Sequence, residues 1–448
     1  MISRLSEAEG ISVQPNNRLQ VSAVGLTGFC AFLSLYSTQP LLPLFHQIFN
    51  ASKLAVSLTI AAPTLGVAVA APFVGMISDI RGRRKVIIPA IYLLAFSNLL
   101  ISVSSSLSAL IVWRFVQGLL TPAVFAVAVA YINEEWDIHE SGFVTSVYVT
   151  GTVLGGFCGR FVSGLVSAFW NWPWVYISLG TVNLVFAAVV TAWLPPAKNF
   201  KREEDYGASL HNMLGHFRNK SLLAIFAIGF TILFSLVATF TYITFYLAEP
   251  PFSLSPAILG SIFAVYLAGA LITPLAGKLS DRMPGWKILS SALFIAMTGV
   301  LMTLSHNLWL VILGITFCSS GVFVCQIITN ISIGEAAGKS RASAVGLYVT
   351  FYYCGGFVGS VVPGFLWELG GWPYCAAFIA AVLLSALLFT LWVSKRLELF
   401  HGPHDCATLE AANQGNRNFP KPMSTIRVSS KSPAYSVKET VSSRQSPQ

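Results

Sequence analysis

Two arginines lie inside long apolar segments of the chain, Arg114 in the stretch Arg-Phe-Val-Gln117-Gly118 and Arg160 after a run of glycines. A charge in apolar surroundings is costly unless it is paired or hydrated. A guanidinium fork fits carboxylate and phosphate groups and stays protonated in proteins. Arg160 is therefore a candidate for binding an anionic solute. Two alternatives stay open: Arg114 extends its head group to the nearer end of its segment, and Arg160 caps carbonyls of a neighbouring helix.

Other polar and aromatic residues within the apolar segments are candidates for the lining of a cavity. Each is equally able to form an interhelical hydrogen bond or to pack against a neighbour. Together they indicate an amphipathic pocket suited to a small organic molecule with an apolar part. The candidates are Tyr36, Gln39, Gln117, Tyr242, Tyr246, Gln326, Asn330, Tyr352 and Tyr353.

The sequence offers little for covalent or metal chemistry. None of the 18 carboxylates and 7 histidines falls near the centre of an apolar segment, and the 7 cysteines contain no CxxC pair. An enzyme site would need a nucleophile with an acid and a base, or a set of metal ligands, within these segments. We therefore expect no enzyme, no metal site and no cofactor.

Apolar blocks near 20 residues long dominate the chain, of which 55% is hydrophobic and only 10% charged. Ordinary soluble domains carry about 25% charged residues, whereas about 20 apolar residues cross a bilayer as one helix. The sequence predicts an all-α polytopic membrane protein, with twelve transmembrane helices in two pseudo-symmetric six-helix bundles. The predicted spans one to twelve are 21–45, 55–78, 86–103, 107–131, 142–168, 173–194, 221–247, 257–279, 287–305, 308–333, 342–368 and 372–394.

Polar stretches divide these spans into domains. A short surface helix is expected around 206–219, and the Ser, Asn, Pro and Lys composition of the C-terminal stretch predicts disorder. The predicted domains are the N-terminus 1–20, the first bundle 21–194, the central loop 195–220, the second bundle 221–394 and the disordered tail 395–448.

Basic residues fall almost entirely on one side of this arrangement. Of the 27 Lys and Arg residues, 24 lie in the termini and in the loops on the same side as the termini, whereas only Lys53 lies in a loop on the other side. Cytoplasmic loops carry the excess of Lys and Arg. Both termini are therefore predicted to be cytoplasmic, and the net charge of +9 reflects topology rather than nucleic-acid binding.

The two predicted bundles repeat one another in sequence. Ten residues between Tyr148 and Pro173 recur 200 positions later, between Tyr348 and Pro373. Two bundles inserted the same way round form a parallel repeat, and transporters of that kind bind substrate near the membrane midplane between the halves. The repeated glycines are expected to permit close helix packing; they are Gly151, Gly155, Gly156, Gly159, Gly355, Gly356 and Gly359.

The stretch Gly75-Met-Ile-Ser-Asp79-Ile-Arg-Gly-Arg-Arg-Lys85 resembles the loop signature G-x-x-x-D-R-x-G-R-R/K of the major facilitator superfamily, with Ile80 in place of the first Arg. The resemblance covers all twelve predicted spans. It implies a conformational latch that holds the cytoplasmic ends of the halves together when the site faces outward. The alternative is that these Lys and Arg residues only reflect the excess of positive charge in cytoplasmic loops. The implied latch residues are Gly75, Asp79, Arg81, Gly82, Arg83, Arg84, Asp281 and Arg282.

Three further stretches carry the resemblance. Arg114-Phe-Val-Gln117-Gly118 is similar to the family's fourth-span motif, which implies a role of Arg114 in proton coupling. The glycines before Arg160 resemble the antiporter motif G-x-x-x-G-P-x-x-G-G, with Gly156 in place of Pro and Arg160 in place of the last Gly. Tyr36-Ser-Thr-Gln-Pro-Leu-Leu-Pro43 is similar to the drug and sugar-efflux branch, and within it to YnfM-type bacterial inner-membrane permeases.

These observations predict a secondary active transporter that moves a small organic solute by rocker-switch alternating access. The resemblance implies proton-coupled export by a monomer in the lipid bilayer of a plasma membrane, the inner membrane in a bacterium. Because no titrating group lies near the midplane, an organic-anion permease or exchanger that uses Arg160 is an alternative. A non-transporting membrane sensor with a signalling tail is another.

Overall fold

The computed structural model describes residues 15–197, 215–280, 282–337 and 341–397, and these ranges consist of helices joined by short turns. Within them, ten helices are long and apolar enough to cross a membrane, and the shorter apolar helix Arg18–Leu33 accompanies them. One of the ten, Ser343–Ser394, contains two spans, because the backbone leaves the helical conformation at Gly370 and Gly371. The described residues thus supply the twelve spans that the sequence predicts.

The helix bounds agree with the predicted spans to within a few residues. In chain order, spans one to twelve consist of Pro15–Leu33 with Leu42–Ile48, Lys53–Arg81, Arg83–Ser102, Leu107–Leu120 with Pro122–Glu135, Ile138–Phe169, Trp172–Trp193, Lys220–Ala248, Pro256–Ile262 with Val265–Ser280, Gly285–Met302, Leu308–Ala336, and the two parts of Arg341–Leu397.

Spans one and eight are not the continuous helices that the sequence predicts. Span one stops at Leu33 and resumes in a 3-10 turn, Gln39–Leu41, which contains Pro40. Proline has no N–H and cannot continue the helical hydrogen bonding. Span eight is interrupted between Ile262 and Val265. Both interruptions place side chains around Arg160, as described below.

Parts of the prediction fall outside the described residues. Of the surface helix expected around 206–219, the structure describes only the end, with the one-turn 3-10 helix His216–Arg218. The predicted tail beyond Leu397 and Asp281 of the implied latch also lie outside the described ranges.

Spans one and five cross at the glycines of the repeated motif. A Cβ atom on Gly151, Gly155 or Gly159 would lie 2.0, 2.2 or 1.8 Å from a carbonyl oxygen of span one. The second half repeats the crossing, since a Cβ on Gly355 or Gly359 would lie 2.0 or 2.5 Å from a carbonyl oxygen of span seven. Only glycine permits these backbone contacts.

Gly159→Ala is therefore expected to lower the thermal unfolding temperature of the detergent-purified protein. The added methyl group forces spans one and five apart, and overpacking of this kind costs about 1–3 kcal/mol. Gly142→Ala, in the same helix, is the matched control, because its Cβ meets no described atom within 4 Å. Alanine there gains about 1 kcal/mol of helix propensity. Equal unfolding temperatures for the two variants would contradict the packing role of Gly159.

Spans one to six and spans seven to twelve contact one another at the end of the bundle opposite the termini. Lys53, at the start of span two, forms an ion pair with Glu249, next to the end of span seven. The Tyr242 hydroxyl of span seven lies 3.2 Å from Ser57 Oγ of span two. We call this end of the bundle the closed face.

Candidate functional site

Arg160 lies between the two halves of the protein, and its side chain is buried. Its Nε donates a hydrogen bond to Gln39 Oε1 at 2.7 Å, and its Nη1 donates to the Gly156 carbonyl oxygen at 2.6 Å. Gln39 sits in the turn that interrupts span one and also reaches across to Thr241 Oγ1 of span seven, at 3.4 Å. Arg160 therefore bonds a side chain of span one and a carbonyl of its own helix, and no described hydrogen bond joins it to the carbonyls of a neighbouring helix, the contact that the structural alternative expects.

Three aromatic rings surround the Arg160 guanidinium. Its Cζ lies 4.8 Å from the centroid of Tyr36, 4.9 Å from that of Phe263 and 4.8 Å from that of Tyr266. Tyr36 belongs to span one, whereas Phe263 and Tyr266 belong to span eight, at its interruption. Rings around a guanidinium stabilise its charge without neutralising it. We call Arg160 with these three rings the arginine cage.

Arg114 occupies a different environment, in the core of the first half. Its guanidinium donates to the carbonyl oxygens of Thr59 at 3.0 Å and Ser34 at 2.6 Å, to the Leu35 carbonyl oxygen, and to Gln117 Oε1 at 2.7 Å. The side chain is fully buried. The alternative that Arg114 extends to the membrane surface is therefore wrong, because carbonyls freed by the interruption of span one hold it inside the bundle.

A chain of side-chain amides supports Arg114. Gln117 Nε2 donates to Asn98 Oδ1 at 2.8 Å, and Asn98 Nδ2 donates to Ser34 Oγ at 2.8 Å. Gln117, which the sequence nominated as a cavity residue, therefore orients Arg114 and links span four to span three. The network holds the bend in span one, and so positions Tyr36 and Gln39 beside Arg160.

The implied latch residues of the first half meet at the helix ends on the terminal side. Arg83 forms ion pairs with Asp79 and with Glu134, where Nη2 and Oε1 lie 2.5 Å apart. Arg84 donates to carbonyl oxygens of Thr191 and Leu194, at 2.8 and 2.7 Å. These contacts join ends of spans two, three, four and six within one half. Their role as a latch between halves stays a prediction.

The remaining latch residues make fewer described contacts. Gly75, Arg81 and Arg282 are exposed and Gly82 is half-buried. Gly82 has φ 89° and ends span two, a conformation that favours glycine.

The other cavity candidates are distributed over several places in the second half. Tyr242 donates to the Ser360 carbonyl oxygen at 2.7 Å, and the ring of Tyr246 stacks on Trp372 with centroids 6.1 Å apart. Both lie near the closed face and serve packing in this conformation. Gln326 is half-buried and Asn330 exposed.

Tyr352 and Tyr353 are buried near the middle of the bundle, at the boundary of the halves. Their rings contact one another with centroids 5.5 Å apart. The Tyr353 ring also stacks on Phe125 of the first half at 6.1 Å. Their position resembles that of the arginine cage, between the two halves.

Phe263, Tyr266, Asn98 and Glu134 are site residues that the sequence analysis did not nominate. The sequence predicts span eight, which contains Phe263 and Tyr266, as a continuous apolar helix, and Glu134 lies at the end of a span, where carboxylates are common. Residue type was their sequence signal: aromatic for Phe263 and Tyr266, a buried amide for Asn98 and a carboxylate for Glu134.

Twelve apolar spans arranged in two halves define a polytopic membrane protein. The sequence model described as Major Facilitator Superfamily matches residues 24–300 and 244–414. The chain belongs to the major facilitator superfamily. The family and the twelve-span, two-bundle fold predicted from the sequence are thereby confirmed.

Curated relatives carry transporter names. The chain is 32% identical to an uncharacterized transporter of Buchnera aphidicola subsp. Schizaphis graminum, over 84% of this chain and 91% of that protein. It is 32% identical to the uncharacterized MFS-type transporter YybF of Bacillus subtilis, over 83% and 92%. It is 31% identical to the inner membrane transport protein YnfM of Escherichia coli, over 83% and 89%.

Solved structures share the fold at low sequence identity. A bacterial homologue of the human lysosomal transporter Spinster, in an inward-facing and occupied conformation, matches with a TM-score of 0.70 at 14% identity, over 88% of this chain and all of that one. The nucleoside transporter NupG matches with a TM-score of 0.68 at 14% identity, over 83% and 99%. The chain is a membrane transporter of this superfamily.

Proposed function

We propose that this transporter moves a small organic anion, and that Arg160 receives the anion between the two halves. The observation that supports the proposal is the arginine cage, a buried guanidinium that contacts rings of both halves and, among the described residues, has no carboxylate partner. A desolvated cation without a counter-ion binds an anion strongly, because the anion neutralises a charge whose burial is costly.

The transporter cycles, in this proposal, by alternating which end of the space between the halves is open. The contacts at the closed face separate that space from the side opposite the termini. If the termini are cytoplasmic, as the distribution of Lys and Arg predicts, the closed face is the outer one. A plasma-membrane location, the inner membrane in a bacterium, is supported by the name of the relative YnfM.

A ligand screen tests the proposed substrate class. Detergent-purified protein is heated with benzoate, glucose or tetraphenylphosphonium, as an organic anion, a sugar and a lipophilic cation. A ligand at 100 times its Kd stabilises the folded state by about 2.7 kcal/mol when it binds that state alone. We expect benzoate to raise the unfolding temperature. Stabilisation by tetraphenylphosphonium with no response to benzoate would contradict the proposal and favour export of cationic drugs.

Proton-coupled export remains a proposal that rests on the family resemblance. Among the described residues, carboxylates lie at span ends, as Asp79, Glu134, Glu249 and Glu368 do. Coupling to protons can be tested by measuring uptake of benzenesulfonate into proteoliposomes with and without a pH gradient. Benzenesulfonate stays ionised and crosses bilayers poorly without a transporter. Accumulation of benzenesulfonate against its concentration gradient, driven by the pH gradient, would establish coupling. Equal uptake with and without the pH gradient would indicate a facilitator or an exchanger.

The ion pair at the closed face offers a test of alternation. Lys53 pairs with Glu249 and lies 4.5 Å from the ring centroid of Trp367, so it binds two groups of the second half. Such partly exposed contacts contribute about 1 kcal/mol. Lys53→Met is expected to raise the population open at this face about fivefold.

A buried position beside the ion pair can report that opening. Ser57 is fully buried at the closed face. In a Ser57→Cys background, the rate of labelling by a membrane-impermeant maleimide should rise about fivefold with Lys53→Met and stay unchanged with Lys53→Arg. The protein without Ser57→Cys measures the background of the native cysteines. Equal rates in all three backgrounds would show that the pair does not hold this face closed.

A further inference from the structure

Two tyrosines whose rings pack on Arg160 carry buried hydroxyls with no hydrogen-bond partner among the described residues. They belong to Tyr36 and Tyr266, whose side chains are 7% and 5% exposed. A buried hydroxyl normally finds a partner, because leaving it unpaired costs free energy. Other tyrosines of this protein do so, as Tyr242 and Tyr148 donate to backbone carbonyls at 2.7 and 2.9 Å. The two hydroxyls therefore need an explanation.

The two tyrosines share one neighbour and come from different halves. Each ring centroid lies 4.8 Å from Arg160 Cζ, Tyr36 from span one and Tyr266 from span eight. Arg160 itself uses Nε and Nη1 for Gln39 and Gly156, and its Nη2 donates no hydrogen bond to a described residue. Two unpaired hydroxyls and one guanidinium are therefore carried by residues that pack together where the halves join.

The charge and polarity of these surroundings select the ligand. Besides the cage, the ring of Phe240 lies 4.6 Å and that of Phe323 lies 5.6 Å from the ring of Tyr266. One guanidinium balances one negative charge, and a second negative charge in this aromatic setting would be buried without a partner. Two carboxylate oxygens can accept the three hydrogen bonds that are offered. Aromatic walls favour a planar apolar body.

We propose that the substrate is an aromatic monocarboxylate, bound to Arg160 and held by hydrogen bonds from both Tyr36 and Tyr266. This inference rests on the proposed function and gives it a substrate class. Because both hydroxyls are enclosed in the present conformation, the carboxylate enters as the halves separate at this level. The bound anion then ties the first half to the second, so binding is coupled to the relative position of the halves.

Tyr36→Phe and Tyr266→Phe test the inference. Isothermal titration of the detergent-purified full-length protein measures the Kd of benzoate, of its neutral analogue benzamide and of the dianion phenylphosphonate. A hydrogen bond to a charged group is worth enough to change Kd about tenfold. Each single variant is expected to raise the Kd of benzoate about tenfold, and the double variant about 100-fold. Wild type should prefer benzoate to both analogues.

Controls separate a binding role from a structural one. Tyr374→Phe changes an exposed tyrosine outside the cage and should leave the benzoate Kd unchanged. Neither Tyr36→Phe nor Tyr266→Phe removes a hydrogen bond to a described residue, so both should keep the unfolding temperature of the ligand-free protein. A large decrease in the unfolding temperature, with the benzoate affinity of the folded fraction intact, would assign the tyrosines to packing and overturn the inference.

The outcomes distinguish this inference from the proposed function. Benzoate binding that depends on Arg160 but is unchanged by both tyrosine variants would overturn the role of the hydroxyls alone. Tighter binding of phenylphosphonate than of benzoate would overturn the monocarboxylate class and keep an anion site. No binding of either anion by wild type would overturn both proposals.

Discussion

Arg114→Met is expected to reduce the free energy of unfolding by about 3–5 kcal/mol, because several buried acceptors lose their donor at once. Arg114 bonds the carbonyl oxygens of Ser34, Leu35 and Thr59 together with Gln117 Oε1. Methionine fills most of the same volume, so the variant tests the hydrogen bonds rather than a cavity. The Ser34 and Leu35 carbonyls lie where span one is interrupted, and that of Ser34 also accepts hydrogen bonds from Ser37.

One opposing contribution reduces the loss without cancelling it. Removing Arg114 also removes a buried charge, whose desolvation cost is several kcal/mol. The carbonyl dipoles already compensate that charge, and they cannot turn toward water, because Ser34 and Thr59 are themselves buried. Arg114→Lys keeps the charge but lacks the planar guanidinium that reaches four acceptors in three spans, so its free energy of unfolding should fall between those of wild type and Arg114→Met.

Thermal unfolding in detergent, followed by tryptophan fluorescence, measures this effect. Size-exclusion chromatography before heating identifies any variant that fails to fold. An unfolding temperature within about 2 °C of wild type for Arg114→Met would contradict the structural role. If Arg114→Lys folds well yet loses pH-driven uptake of benzenesulfonate, Arg114 also serves proton coupling, as the resemblance implies.

The spans and the repeat could be predicted because they depend on local composition. A block of about 20 apolar residues crosses a membrane whatever it packs against, and the glycines that recur 200 positions apart mark the same helix crossing in both halves. The glycine contacts with spans one and seven show why those positions repeat.

The partners of the two arginines could not be predicted, for two physical reasons. Arg114 bonds mainly backbone carbonyls, and no side-chain type marks a carbonyl that an interrupted helix has freed. Arg160 meets Phe263 and Tyr266, about 100 positions away in the other half, through the docking of two bundles. Arg114 lies beside the interruption of span one inside the first half, whereas Arg160 also faces the interruption of span eight in the second half.

That difference leads to the second prediction of large effect, in which Arg160→Gln weakens benzoate binding about 100-fold or more. The variant removes the charge and the free Nη2 donor, and charge-assisted hydrogen bonds are the strongest contacts available to a carboxylate. A loss of about 3 kcal/mol corresponds to roughly a 100-fold change in Kd. Arg160→Lys keeps the charge without the fork, and about a tenfold loss is expected.

The stability of Arg160→Gln should change in a different way from that of Arg114→Met. Arg160 gives up two hydrogen bonds and its contacts with three rings, but glutamine can still bond Gln39, and a buried cation without a counter-ion is removed. The ligand-free variant is therefore expected to unfold within a few degrees of wild type. Titration with benzoate and thermal unfolding of the same samples give both values. If Arg160→Gln unfolds at as low a temperature as Arg114→Met, both arginines hold the bundle together and the anion must bind elsewhere. If Arg160→Gln is stable but no longer binds benzoate, Arg160 serves binding and Arg114 serves stability.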